Sequence, residues 1–209
     1  MHIIAFDPSK HTGWSLRDMA RDHSAIRCGV LEMPDKADHY YTADQIGRKV
    51  CGLITEEIKA GRKPTFAIIE QQALAKIGNT SADAMIYPWV ANSAIVATLA
   101  NFGIPYASIP AVTWRVSFFG RGFKPPVDSK GKKDWKKACV AECERLGIVL
   151  PTQKTIAHNA AEACALAICA QVPATKVHAR RYEPALMALR MARNERPTAG
   201  GDLFGGAAA

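Results

Sequence analysis

The sequence has no uninterrupted apolar run approaching the roughly 18–20 residues needed to span a bilayer, and its first residues read as a strand, not a leader peptide. That excludes a membrane-spanning helix as the organising element. Its six cysteines, Cys28, Cys51, Cys139, Cys143, Cys164 and Cys169, form no CxxC pair and no Cys/His spacing typical of zinc. Most fall in stretches that read as helix or strand interior, where free thiols serve as small hydrophobes, and the expected location is a reducing cytoplasm, bacterial or phage-infected. There is no internal repeat. Acidic residues are few: 19 Asp and Glu against 27 Lys and Arg leave a net charge of +8. This deficit points to a polyanionic partner, although composition alone does not separate DNA from RNA or an anionic surface.

What is present is enough apolar material for a core: 48% of 209 residues. That excludes wholesale disorder and suits one domain with an extension. Residues 2–6 (HIIAF) form a short apolar run stopped by Asp7-Pro8, which predicts a buried strand and a turn. Residues 12–18 and 24–33 read as the next two strands of a meander. Ile46, Val50, Leu53, Ile54 and Ile58 recur at helical spacing within residues 40–60, closed by Gly61 and Pro64. FAIIE (66–70) is a second apolar strand ending in an acid. A long Ala-rich helix follows over residues 80–102, then a strand at 106–110. Residues 115–133 read as a Gly/Pro/Lys-rich loop, and 134–147 as a helix with Asp134 at its N-cap. Residues 157–171 form an apolar helix, 180–193 a basic one, and 196–209 a disordered end. Strands first, then strands alternating with helices, predict an α/β architecture with helices on both faces of a mixed sheet. The expected division is a domain over residues 1–172 and a basic, partly disordered extension over 173–209.

Three acids stand out against this background. Asp7 and Glu70 each end an almost wholly apolar strand, at the sheet edge where open α/β folds bind ligands. Glu162 lies in the apolar helix among Ala, Cys, Leu and Ile, where a carboxylate must be paired, protonated or metal-bound. His158 and Asn159 precede it by four and three residues and share its helical face. Such an oxygen-rich set, with one nitrogen, suits Mg²⁺ or Mn²⁺ rather than zinc. Two such ions would serve phosphodiester hydrolysis. Asp7 or Glu70 alone has an ordinary alternative as a turn cap, and His158 as a helix-end or surface histidine.

The basic surplus is concentrated. Arg115, Arg121, Lys124, Lys130, Lys132, Lys133, Lys136 and Lys137 face only Asp128 and Asp134 within residues 115–137, and Trp114, Phe118, Phe119, Phe123 and Trp135 are interleaved with them. Cations beside aromatics fit a surface that pairs with phosphates and stacks on unpaired bases. The alternative is a solubilising loop whose aromatics belong to the core. Lys124, Lys130, Lys132 and Lys133, with Arg121, are the candidates for contacting the phosphates of a nucleic acid.

FDPSKHTGWSL (6–16) resembles the first motif of RuvC-type Holliday junction resolvases, Asp-Pro-Gly followed by Thr-Gly. IIEQQALAKIGNTSADAM (68–85) is similar to their second motif, and HNAAEACALAI (158–168) to their final Asp-Ala-Ala-Asp-Ala-Leu-Ala-Ile helix. The ordered set spans about residues 2–172. The resemblance implies an RNase H-like fold, a homodimer, and cleavage of four-way DNA junctions with Mg²⁺ or Mn²⁺, two ions per site. By position it assigns metal ligation and catalysis to Asp7, Glu70 and Glu162. The family's remaining acid falls on Asn159, and His158 is the expected substitute. Ser9 stands where the family has Gly, and Ala73 where it often has a junction-opening aromatic, a role expected of Leu74 or Tyr87 instead. The helix over 80–102 is apolar enough to pair with its twin. The competing readings are an actin or sugar-kinase fold, for which the chain is too short, an RNase H-like nuclease for other branched DNA or RNA–DNA hybrids, and a junction-binding protein without catalysis.

Overall fold

In the computed structural model, residues 1–72, 82–128 and 131–192 are described. Six strands form one mixed sheet in the order β3-β2-β1-β4-β5-β6. β1 (His2–Asp7), β2 (Thr12–Asp18) and β3 (Arg27–Leu31) make an antiparallel meander. β4 (Phe66–Gln71) and β5 (Tyr106–Pro110) add parallel to β1, and β6 (Lys176–Val177) closes the edge antiparallel to β5. The strand expected over residues 24–33 is shorter than its apolar pattern, because a 3₁₀ turn occupies His23–Ala25.

Alternation along the strands divides the core into two layers. Ile4 and Phe6 of β1 and Ala67 and Ile69 of β4 lie under α1 (His39–Lys59) and α2 (Ala82–Asn101), against Ile46, Val50, Ile54, Ile95 and Leu99. Ile3, Ala5, Phe66 and Ile68 lie on the other face, with α3 (Ala111–Phe119), α4 (Trp135–Arg145), α5 (Lys154–Ile168) and α6 (Glu183–Met191). The architecture is therefore α/β with helices on both faces, as its sequence pattern predicts. Asp38 caps α1 by accepting from the Tyr41 N–H, and Asp134 caps α4 by accepting from the Lys137 N–H.

One expected loop is in part a helix. Residues 115–133 begin inside α3, which starts directly after Pro110 ends β5. The run WRVSFF has no amphipathic stripe to announce a helix, and Trp114, buried completely, anchors it in the core. Beyond residue 172, β6 extends the sheet and Leu186 and Leu189 of α6 join the core, so this segment is part of the packing. Cys139, Cys143, Cys164 and Cys169 are buried free thiols, as their apolar neighbours predict; Cys51 is exposed.

Candidate active site

Phe6 faces Ile69 in the parallel ladder, so Asp7 and Glu70 stand at the ends of adjacent strands one residue further on. Their positions continue the alternation of Ile3–Ala5 and Phe66–Ile68, which points both carboxylates to the face covered by α5. Glu162 comes down from that helix to meet them.

α5 is held on the sheet by three residues of β2 with the same parity. A Cβ at Gly13 would lie 1.9 Å from the Asn159 carbonyl oxygen, so only glycine permits this approach. The Ser15 hydroxyl donates to the Ala163 carbonyl at 2.8 Å, and Arg17 Nη1 donates to the Ala167 and Ile168 carbonyls at the helix C-terminus. The Asn159 amide donates to the His11 carbonyl at 2.7 Å, tying α5 to the β1–β2 turn. Inside that turn Thr12 and Ser9 bond each other, Thr12 Oγ1 donating to the Ser9 carbonyl at 2.7 Å.

The three acids are crowded and largely dry. Asp7 is 8% exposed and Glu162 7%. Burial, followed by the charges of Glu162 and Glu70, holds the Asp7 carboxyl well above its usual range, and it shares a hydrogen bond with Glu162. Burial also raises Glu162, against the opposing charges of Arg115 and Lys136. Glu70 is pushed up to about 7 by burial, partly offset by the Trp114 Nε1–H, which donates to its Oε2 at 2.7 Å. Arg115 reaches Glu162 Oε1 at 3.5 Å, while its guanidinium lies over the rings of Trp114 and Trp135 at 5.2 and 5.4 Å. Its Nε–H is buried without a hydrogen-bond partner.

The structure thus brings Asp7, Glu70 and Glu162 together. His158 is half-buried one turn before Glu162 and shares Lys136 as a neighbour with Asp7 and Glu162; burial and that lysine lower it to about 4, leaving the imidazole neutral at pH 7. Asn159 spends its amide on the His11 carbonyl. Arg121, Lys124, Lys132 and Lys133 are exposed beyond α3; Lys130 lies outside the described residues, as do Ala73 and Leu74. Tyr87 is engaged, its hydroxyl donating to the Ala37 carbonyl at 2.7 Å. Among the described residues of that run of eight cations, Arg115 reaches Glu162 and the charge of Lys136 acts on Asp7 and Glu162. Their spacing carried no mark of this, since it depends on α3 and α4 converging on α5.

Among the described residues no three His, Cys, Asp or Glu side chains are grouped closely enough, as placed, to hold a metal ion. The donor set nonetheless fits a hard divalent cation: three desolvated carboxylates whose mutual repulsion a proton or a bound cation relieves, beside a neutral imidazole.

No protein-family model and no curated protein matches this chain. Solved structures do. The Thermus thermophilus RuvC structure in complex with a Holliday junction substrate matches with a TM-score of 0.57 at 13% identity, covering 85% of this chain and 99% of that one. A second Thermus thermophilus RuvC structure gives 0.56 at 17% identity with the same coverage. Identity this low makes it a likeness of fold: the chain has the RNase H-like α/β fold, in the form seen in RuvC.

Proposed function

We propose that this chain is a divalent-metal-dependent endonuclease that resolves four-way DNA junctions by paired nicks. The observation that carries the reading is the meeting of Asp7, Glu70 and Glu162 in a desolvated group at the carboxyl ends of β1 and β4, on a fold shared with a protein solved on a Holliday junction. Asp7, Glu70 and Glu162, with His158, would hold two Mg²⁺ or Mn²⁺ ions. When bound, these supply a Lewis acid and an activated water for phosphodiester hydrolysis.

The chain's own residues prepare the rest. Trp114 fixes the Glu70 carboxylate through its Nε1–H. Arg115, its guanidinium over two indoles and reaching Glu162, sets a fixed positive charge beside the acids for a phosphate to approach. Gly13, Ser15 and Arg17 keep α5, and with it Glu162, in register with the strand ends. Arg121, Lys124, Lys132 and Lys133, all exposed, offer a phosphate track beside the site. Two symmetric nicks require two copies about a two-fold axis, and exposed Ile86 and Trp89 on α2 suit that pairing.

One observation favours a second reading. Asn159 brings no charge and is already bonded to the backbone, which would suit a junction-binding protein without catalysis. One experiment separates the two: a synthetic four-way junction is incubated with the protein in Mg²⁺ and in Mn²⁺, beside linear duplex and an RNA–DNA hybrid. Paired nicks in the junction alone are expected. Nicks in the hybrid or duplex instead make it a different RNase H-like nuclease, and binding without cutting in either metal establishes the binder.

A further inference from the structure

The aromatic run after β5 splits into two kinds of ring. Trp114 is fully buried and Phe118 and Phe119 are half-covered, packed edge to face at 6.5 and 4.9 Å between centroids. Phe123 differs, with 40% of its surface in water. Its ring stacks on Phe119 at 4.5 Å and 13°, and Trp135 lies 6.2 Å away, tilted by 41°. The backbone is built to place it there. Gly120 and Gly122 have φ of 89° and 79°, conformations that favour glycine, so the chain reverses after α3 and returns Phe123 over Phe119. Pro125 and Pro126 then stiffen the exit.

This ring is linked to the acids by continuous contacts. Trp135 carries the Arg115 guanidinium on its face, and Arg115 reaches Glu162. The surroundings are cationic: Arg121 and Lys124 flank Phe123 and are exposed, with no acid between residues 121 and 127. A flat apolar face in a positive field suits a base whose own phosphates are attracted alongside. An apolar peptide would gain nothing from those charges.

We infer that Phe123, backed by Phe119 and Trp135, is a stacking shelf for an unpaired nucleobase of branched DNA beside the carboxylate group. The inference rests on the DNA substrate proposed above, and it names which base-contacting element stands beside the acids on a chain with Ala73 in its second motif.

The test uses the full chain carrying Asp7→Asn, so that binding is read without cutting. The probe is a four-way junction with 2-aminopurine unpaired at the branch point, compared with 2-aminopurine paired in linear duplex. Quenching on the junction is expected with Phe123 or Phe123→Trp. Phe123→Leu, which keeps apolar packing on Phe119 without a π-face, and Phe123→Ala should both lose it. The ratio of junction to duplex affinity should fall about 5- to 150-fold, the range for one stacked base. Quenching and an affinity ratio unchanged in both variants overturn the shelf. So does altered self-association with quenching intact, which assigns the ring to contact between copies. If the unsubstituted chain cuts nothing but Phe123-dependent quenching persists, the shelf stands and the nuclease reading falls. If it cuts junctions without such quenching, the reverse holds.

Discussion

Glu57 and the Asp7–Glu70–Glu162 group are both buried acids, at opposite ends of the same sheet, and their surroundings could hardly differ more. Glu57, 3% exposed near the end of α1, lies between Arg27 and Arg62. Burial raises its carboxyl, but hydrogen bonds and charge from the two arginines outweigh this and hold it below its usual range. Asp7, Glu70 and Glu162 face one another with Arg115 and Lys136 as their nearest opposing charges, and all three are raised. Glu57 is compensated within the chain and ties α1 to β3. The strand-end group is left short of positive charge, which costs stability in the isolated chain and is what a cation or a phosphate-bound cation complex would repair.

The largest effect should come from removing one of the crowded acids. Asp7→Asn is expected to lower junction cleavage by about a thousandfold or more, the scale of several kcal/mol of lost transition-state stabilisation. Junction affinity in a gel-shift assay should hold or rise, because a negative charge facing phosphates is gone, and unfolding should need at least as much denaturant as before. Loss of junction binding would count against the site.

Next comes the support of Glu162. Gly13→Ala drives a methyl group into the Asn159 backbone, and denaturant unfolding should show a loss of about 3 kcal/mol, at the upper end for overpacking. Wild-type stability in that variant would mean that α5 does not sit as close to β2 as described.

The two acid sites also predict opposite pH slopes. Glu70, whose folded-state value is about 7, binds its proton more tightly folded than unfolded, so its contribution is present below about pH 4.5 and lost as pH rises through 7. Up to about 3 kcal/mol should disappear between pH 5 and pH 8 without added metal. Mg²⁺ should therefore raise Tm more at pH 8 than at pH 6. Glu57, lowered, contributes above its unfolded value and loses that contribution as pH falls through its folded one. A metal-free Tm that climbs steadily from pH 5 to 8 would contradict the crowded-acid picture.

The smallest effect belongs to the compensated acid. Glu57→Gln should cost about 1–2 kcal/mol, modest because Arg27 and Arg62 are half in water, with junction cleavage per folded molecule unchanged. Lost cleavage in a fully folded Glu57→Gln protein would erase the distinction between the two sites.

Particular residues show what was legible. Asp7 and Glu70 announce themselves as single acids closing apolar strands, and strand parity then carries both to one face. Glu162 announces itself as a lone charge in an Ala/Cys helix. Gly13 reads only as half of a Thr-Gly pair until α5 is seen lying on it. α3 escaped because its apolar residues fall on every side and give no stripe, Val112 and Val116 being exposed while Trp114 is buried, so Arg115 read as a loop residue. His158 and Asn159 share a helical face in sequence; only the packing showed Asn159 committed to the His11 carbonyl.

The sequence by itself determined the five longer strands, the helices with clear periodicity, and which acids would end on the sheet's edge, because these follow from patterns a few residues long; the two-residue β6 carries no such pattern. Tertiary structure alone decided that Glu57 is compensated and the strand-end acids are not, that Arg115 and Lys136 are the cations they meet, and that Phe123 stays in water while Trp114 does not. Those outcomes depend on contacts between segments tens of residues apart, which no local periodicity encodes.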